Sequence, residues 1–170
     1  MGTLVTDGLA RMAVTFVENH DIVRTDPIVN DKMMAYSYIL THEGYPCVFW
    51  QDYFNWNLGR EGSENGIAAL VKVHKYYAGG RTDILYCDDD LYIMQRRGDG
   101  DQKGLVFVLN NSGRWNGRLV DTQWASTRFI PAAWCARDDA NAPEEKSTDG
   151  LGASEFWAPP RGYAVYVPAS

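Results

Sequence analysis

Residues 13–21 read Ala13-Val14-Thr15-Phe16-Val17-Glu18-Asn19-His20-Asp21. The first five are apolar or β-branched and do not alternate with polar residues, the pattern of a short strand buried on both faces in a parallel sheet. The run then breaks into four polar groups: a carboxylate, an amide, an imidazole and a second carboxylate. In folds built from parallel β/α units, the loops after the C-terminal strand ends assemble the active site. This quartet is therefore the first candidate site, with polar residues that merely hold a turn as the plainer alternative.

Working outward, a polar stretch containing Pro27 leads into Asp31–Leu40, where positions 33, 36, 37 and 40 recur at helical spacing. Asn30 or Asp31 is placed to cap this helix, and Gly44 and Pro46 end it. Cys47-Val48-Phe49-Trp50 reads as a second buried strand. It runs into a polar and aromatic loop, Gln51-Asp52-Tyr53-Phe54-Asn55-Trp56-Asn57. Aromatic faces beside amides and carboxylates suit a sugar, whose ring faces stack while its hydroxyls need donors and acceptors. A second helix spans residues 65–77, with Ile67, Leu70, Val71 and His74 on one stripe, and Gly79-Gly80 stops it. Strand, helix, strand, helix is the order of repeated β/α units.

Past about Thr82 the period changes. Short apolar segments at 90–96, 104–110, 119–120, 133–136, 155–157 and 163–167 are separated by Gly, Asn and Asp turns with no helical stretch between them. Such spacing predicts roughly six to eight antiparallel strands. The expected fold is α+β multidomain: residues 1–81 form a partial (β/α) barrel fragment of two units, and residues 82–170 an antiparallel β-sandwich or Greek-key domain.

Composition narrows the function. The 170 residues are 45% hydrophobic and 13% aromatic, enough for a packed core, and carry a net charge of -6. That charge, with no basic stripe beyond Arg96-Arg97, argues against nucleic acid as a partner. Cys47, Cys87 and Cys135 lie far apart without metal-ligand spacing, so no metal or other cofactor is expected; one disulfide and three buried thiols both remain open. No run approaches the ~20 apolar residues needed to span a bilayer, and the opening MGTLVTDGLARMAV carries no visible signal peptide. Localisation stays open, with secretion expected if the chain is part of a longer precursor.

The segment Phe16-Val17-Glu18-Asn19-His20-Asp21 closely resembles the seventh-strand motif FVDNHD of the alpha-amylase family, and Gly44-Tyr45-Pro46-Cys47-Val48-Phe49-Trp50 resembles its eighth-strand segment. The helix 66–77, the run 104–110 and the end 163–168 are also similar to that family's barrel end and C-terminal β domain. The resemblance implies a glycoside hydrolase acting on alpha-1,4-glucans, with starch or malto-oligosaccharide as ligand. Asp21 matches the aspartate that stabilises the transition state, and His20 the histidine that binds hydroxyls of the same sugar. Asn19 matches a supporting asparagine, and Glu18 replaces the usual aspartate as a positioning residue. Trp50 and Gln51 stand where tyrosine and glycine are common, which implies a different rim to the cleft, and Trp50 and Asp52 are further substrate-binding candidates.

The resemblance also implies what these residues do not supply. A retaining glycosidase needs a nucleophile and a general acid/base about 5 Å apart, and in this family both come from the fourth and fifth strands. Nothing in the sequence argues that Glu18, Asp21 and Asp52 replace them, so the isolated chain is expected to be inactive. A non-catalytic starch-binding module is the alternative, drawing on the tryptophans of the second half, first Trp115 and then Trp124. A structural remnant without binding activity is a third. Two β/α units of a closed barrel leave apolar strand faces open, so a homo-oligomer or a complementary barrel chain is expected to cover them.

Overall fold

The computed structural model describes residues 8–138 and 140–169; the first seven residues, half of the stretch inspected for a signal peptide, lie outside them. Strands β1 (Val14–Phe16) and β2 (Tyr45–Cys47) pair in parallel, Val14 opposite Tyr45 and Phe16 opposite Cys47. Between them run the single turn α1 (Ile22–Thr25) and helix α2 (Lys32–Thr41). After β2 come a π-helical turn, Gln51–Asn55, and helix α3 (Ile67–Tyr76). The β/α order is therefore present with the parallel pairing it requires.

Local chemistry explains these elements and corrects several expectations. Helix α2 buries Met33, Tyr36, Ser37 and Leu40, the stripe read from its spacing. Asp31 occupies the N-cap position in a left-handed conformation (φ 55°), but its side chain caps nothing, because its carboxylate is engaged by Arg137 and Arg161. Gly44 (φ 118°) closes the turn into β2, where a Cβ would lie 2.6 Å from the Ala13 carbonyl oxygen. That same oxygen accepts the Tyr45 amide at 2.7 Å, so the bare glycine lets β2 reach β1. On α3 the buried face is Ile67, Leu70 and Val73, rotated away from Val71, which is exposed.

The expectation that both strands are buried on two faces is not met. Val14 is 62% and Phe16 47% exposed, because β1 and β2 pair only with each other among the described residues. The second strand also begins two residues early, and Trp50 already belongs to the turn that follows it.

From Thr82 onward the chain is antiparallel. Strands β3 (Thr82–Cys87), β4 (Leu91–Arg96), β5 (Leu105–Asn110), β7 (Arg128–Cys135), β8 (Lys146–Ser147) and β10 (Gly162–Pro168) form one sheet in the order β3-β4-β5-β10-β7-β8. Strands β6 (Asn116–Asp121) and β9 (Ala153–Ala158) form a ribbon, giving a sandwich-like arrangement. Alternate residues divide between two cores. Leu105, Phe107, Tyr163 and Val165 pack with Tyr36, Leu40 and Leu70 of the helices. Val106, Val108, Ala164 and Tyr166 pack with Val120 and Phe156 of the ribbon. Both faces of the central strands are thus covered, which is why 104–110 and 163–167 read as unbroken apolar runs. Cys47 and Cys87 are exposed and Cys135 buried, all as free thiols, so the reading of three buried thiols holds only for Cys135. Among the described residues no helix is long and apolar enough to cross a membrane.

Candidate functional site

The polar quartet after β1 divides into an inward and an outward half. Asn19 turns its Oδ1 back onto the amides of Asp21 and Ile22, each at 3.0 Å, a side-chain turn that fixes the loop. His20 and Asp21 project outward from it, their side chains 74% and 78% accessible, with Nε2 and Oδ1 3.5 Å apart. Glu18 points the other way. Its side chain is fully buried and accepts the Ile28 amide on one oxygen and the Lys32 ammonium, at 2.7 Å, on the other.

Lys32 is shared. Its Nζ lies 2.7 Å from Asp52 Oδ1 as well, and the other Asp52 oxygen accepts the Tyr36 hydroxyl at 2.5 Å. The Tyr36 oxygen in turn accepts the Phe49 amide at 3.3 Å. Burial by itself opposes the Lys32 ammonium, but hydrogen bonds and attraction from Asp52 and Glu18 together carry its pKa above the ordinary lysine value. Burial, then the bond to Asp52, raises Tyr36 far above a free phenol, so it stays a donor. One cation thus joins three separate pieces of chain: the end of β1, the start of α2 and the turn after β2.

Around this network the aromatic loop faces solvent. Trp50 is 66% exposed and its ring lies 4.1 Å from that of Phe54. Trp56 is 63% exposed, with Lys32 Nζ 5.4 Å from its ring centroid. Trp56 and Leu58 form one wall of an open cavity of about 460 Å³; Val23 and Ile28, from the stretch after Asp21, form another, and Cys135 and Tyr163 at the ends of β7 and β10 a third. Asp31 also lines it and holds Arg137 and Arg161, two further lining residues. Burial acts against its carboxylate, but those two guanidiniums keep it below the usual aspartate range.

The structure therefore brings Glu18 and Asp52 to a common partner in the interior, where their side chains have no exposed surface, and leaves Asp21, His20 and Trp50 outside. Trp115 and Trp124 lie away from this loop pair, in the second half of the chain. Trp115, half-buried just before β6, lines a groove of about 440 Å³ with Trp157, Glu144, Lys146 and Glu155. Trp124 sets its ring edge-on to Phe129 at 5.5 Å. No cluster of three or more potential metal ligands occurs among the described residues.

A family model described as alpha-amylase C-terminal matches residues 105–167. Over 184 aligned positions the sequence is 44% identical to an alpha-amylase of Geobacillus stearothermophilus, an alignment covering 99% of this chain. The chain is homologous to the alpha-amylase family of glycoside hydrolases. It spans only 32% of that bacterial enzyme. An alpha-amylase type B isozyme of Hordeum vulgare is 38% identical over 90 residues, 49% of this chain and 56% of that protein. Solved structures share the fold: alpha-amylases from Anoxybacillus and from Malbranchea cinnamomea superpose with TM-scores of 0.66 at 13% and 17% identity. They cover 94% and 98% of this chain, which matches 38% and 42% of theirs.

Sequence reasoning about this alpha-amylase homologue missed Lys32, Tyr36 and the contact of Lys32 with Trp56. A signal was present. Lys32, Tyr36 and Leu40 are spaced four apart, so a lysine opens the face of α2 that is otherwise buried. A cation on such a stripe implies buried carboxylates to meet it.

Proposed function

We propose that this chain is the C-terminal part of a glycoside hydrolase acting on alpha-1,4-glucans, in which Asp21 stabilises positive charge developing on the sugar being cleaved and His20 binds that sugar's hydroxyls. The observation that carries the reading is the pair of exposed side chains at the C-terminal end of β1, on a loop pinned by Asn19 and Glu18. A carboxylate held in this way accepts hydroxyl hydrogens and favours an oxocarbenium-like charge without reorganising. Glu18 and Asp52 serve in this reading as supports, since neither has surface to offer a ligand. Nucleophile and general acid/base come from elsewhere in a longer polypeptide or a partner. A single carboxylate cannot both protonate the leaving oxygen and attack the anomeric carbon, and such groups act as a unit. The boundary near residue 81 is part of the same proposal, and so is a cover of other β/α units or a second copy over Val14, Phe16 and Tyr45.

The test combines two measurements on the 170-residue protein. Titration with maltoheptaose followed by NMR should shift His20 and Asp21, and Asp21→Asn should weaken binding while leaving the thermal unfolding midpoint in place. Incubation with soluble starch should release no reducing sugar above background. Starch hydrolysis abolished by Asp21→Asn would overturn the assignment of the missing groups, and maltoheptaose binding indifferent to Asp21→Asn would overturn that of Asp21.

A starch-binding role is the second reading, favoured by the groove that sets Trp115 beside Trp157 with carboxylates and a lysine around them. Replacing Trp115 and Trp124 by Ala should then reduce retention on insoluble starch more than Asp21→Asn does. Unchanged retention would remove this reading.

A further inference from the structure

We propose that the cavity bounded by the loop after Asp21 with the start of α2, the loop after β2, and the adjoining ends of β7 and β10 is an additional glucan subsite, with Trp56 as its stacking face and Lys32 as the residue that positions it. This deepens, and rests on, the alpha-glucan reading above. Trp56 presents a large indole face to solvent at the mouth of the cavity. The space, about 460 Å³, falls within the size range of small-molecule sites, and its apolar walls with a few polar groups are the composition such sites have. Asn30 and the Asp31 carboxylate with its two guanidiniums supply donors and acceptors for hydroxyls along the rim.

What makes the cavity more than a gap between loops is how its walls are held. The loop after Asp21 is closed at its base by Glu18, which accepts the Ile28 amide ten residues on. Lys32 grips that same carboxylate and, at equal distance, Asp52, which lies in the π-helical turn leading directly to Trp56. π-Helical turns recur at functional sites because the extra residue redirects the side chains that follow. The Lys32 ammonium also stands over the Trp56 ring at 5.4 Å, within the range of cation–π attraction. A single side chain thereby sets the distance between the Asp21 loop and the indole. Lys32 also lines the cavity, but it is only 12% accessible and its ammonium is taken up by Glu18 and Asp52, so its role is positioning.

The experiment measures maltoheptaose affinity by NMR titration for five forms of the 170-residue protein: wild type, Trp56→Ala, Trp56→Tyr, Asp21→Asn, and the triple variant Glu18→Gln/Lys32→Met/Asp52→Asn. The triple variant removes all three charges together, so it leaves no unpaired ion to unfold the chain. The Trp56 indole resonance should shift on titration. Trp56→Ala should weaken binding roughly tenfold, the loss typical of truncating an aromatic anchor, and Trp56→Tyr should recover most of it. The triple variant should keep a near-native unfolding midpoint yet lose affinity to the same degree, with His20, Asp21 and Trp56 resonances all displaced in the free protein. Native affinity in a stable triple variant would show that Lys32 only holds the fold and would overturn its positioning role. If Asp21→Asn weakens binding and Trp56→Ala does not, the alpha-glucan reading stands and the subsite falls. Absence of maltoheptaose binding by the wild type would overturn both.

Discussion

Acidification from pH 7 to pH 4.5 should drain stability from this protein chiefly through His42. The ring ends α2, stacked 3.8 Å from Tyr38 and edge-on to Phe107 of β5. Its Nδ1 lies 2.8 Å from the Tyr38 carbonyl oxygen, which can only accept, so that nitrogen carries the hydrogen. Nε2, 2.9 Å from the Tyr92 hydroxyl, is then the acceptor, and the neutral ring has both nitrogens satisfied. Burial works against a charged ring. The Tyr38 carbonyl offsets part of that, Arg96 adds repulsion and Glu43 some attraction, and the pKa falls from 6.5 to about 4. The folded pKa is depressed, so the contribution is complete above pH 6.5 and is lost as pH falls through 4, while the unfolded chain takes up a proton that the native ring refuses. The gap between 6.5 and about 4, at about 1.4 kcal/mol per unit, sets a ceiling of roughly 3 kcal/mol; partial exposure of the ring brings the expectation to about 2 kcal/mol. His74, depressed first by burial, acts in the same direction. The assay is urea unfolding at pH 7, 6, 5 and 4.5, comparing the wild type with His42→Gln, whose amide can donate to Tyr38 and accept from Tyr92 without titrating. Equal losses in the two proteins across that range would refute the argument.

Lys32→Met should cost about 3–5 kcal/mol, because it strands Glu18 and Asp52 as buried carboxylates; adding Glu18→Gln and Asp52→Asn should restore most of this in chemical denaturation. Asp31→Asn leaves Arg137 and Arg161 side by side without their shared anion, and should cost about 1–2 kcal/mol given the partial exposure of both guanidiniums. The Asp31 pKa is lowered from 3.8, so the wild-type contribution is present above that pH and fades as pH drops through the folded value, a dependence Asp31→Asn should abolish in acid-unfolding curves. Gly162→Ala should destabilise by about 2 kcal/mol or more, since its Cβ would meet the Cys135 carbonyl oxygen at 2.0 Å and force β10 from β7. Gly113→Ala, with open space around it, should change the unfolding midpoint little.

The elements that were legible in the sequence are those whose period reports on a single neighbour. Met33, Tyr36 and Leu40 of α2 recur at helical spacing, which marks one buried stripe, and the structure packs that stripe against the second half of the chain. The runs 104–110 and 163–167 mark strands, and the structure shows why they are unbroken: two cores divide their residues. β3 is not legible because Thr82–Cys87 mixes Asp83 with exposed Ile84 and half-buried Tyr86, and its register with β4 slips between Ile84 and Tyr86. An edge strand with a bulge has no clean alternation to detect. The ribbon strand β6 was legible only at Leu119-Val120, since its other residues are polar or glycine. Within the site, the order Glu18-Asn19-His20-Asp21 revealed that polar groups gather at a strand end. It could not reveal that Glu18 turns inward and Asp21 outward, which is decided by Lys32 and Ile28, fourteen and ten residues away.

That split has a physical logic of its own. In the proposed reading, a loop that presents an exposed carboxylate and imidazole to a sugar cannot be held by apolar packing at its tip, because those groups must stay in contact with solvent or substrate. The restraint has to come from beneath, and a buried hydrogen-bonded ion pair supplies it with directions that a hydrophobic contact lacks. Replacing such pairs by apolar residues is often neutral or even stabilising, so stability alone does not account for placing two carboxylates and a lysine in the interior of so small a unit. What the arrangement does supply is a fixed geometry between two loops that, among the described residues, share no backbone hydrogen bond across the site.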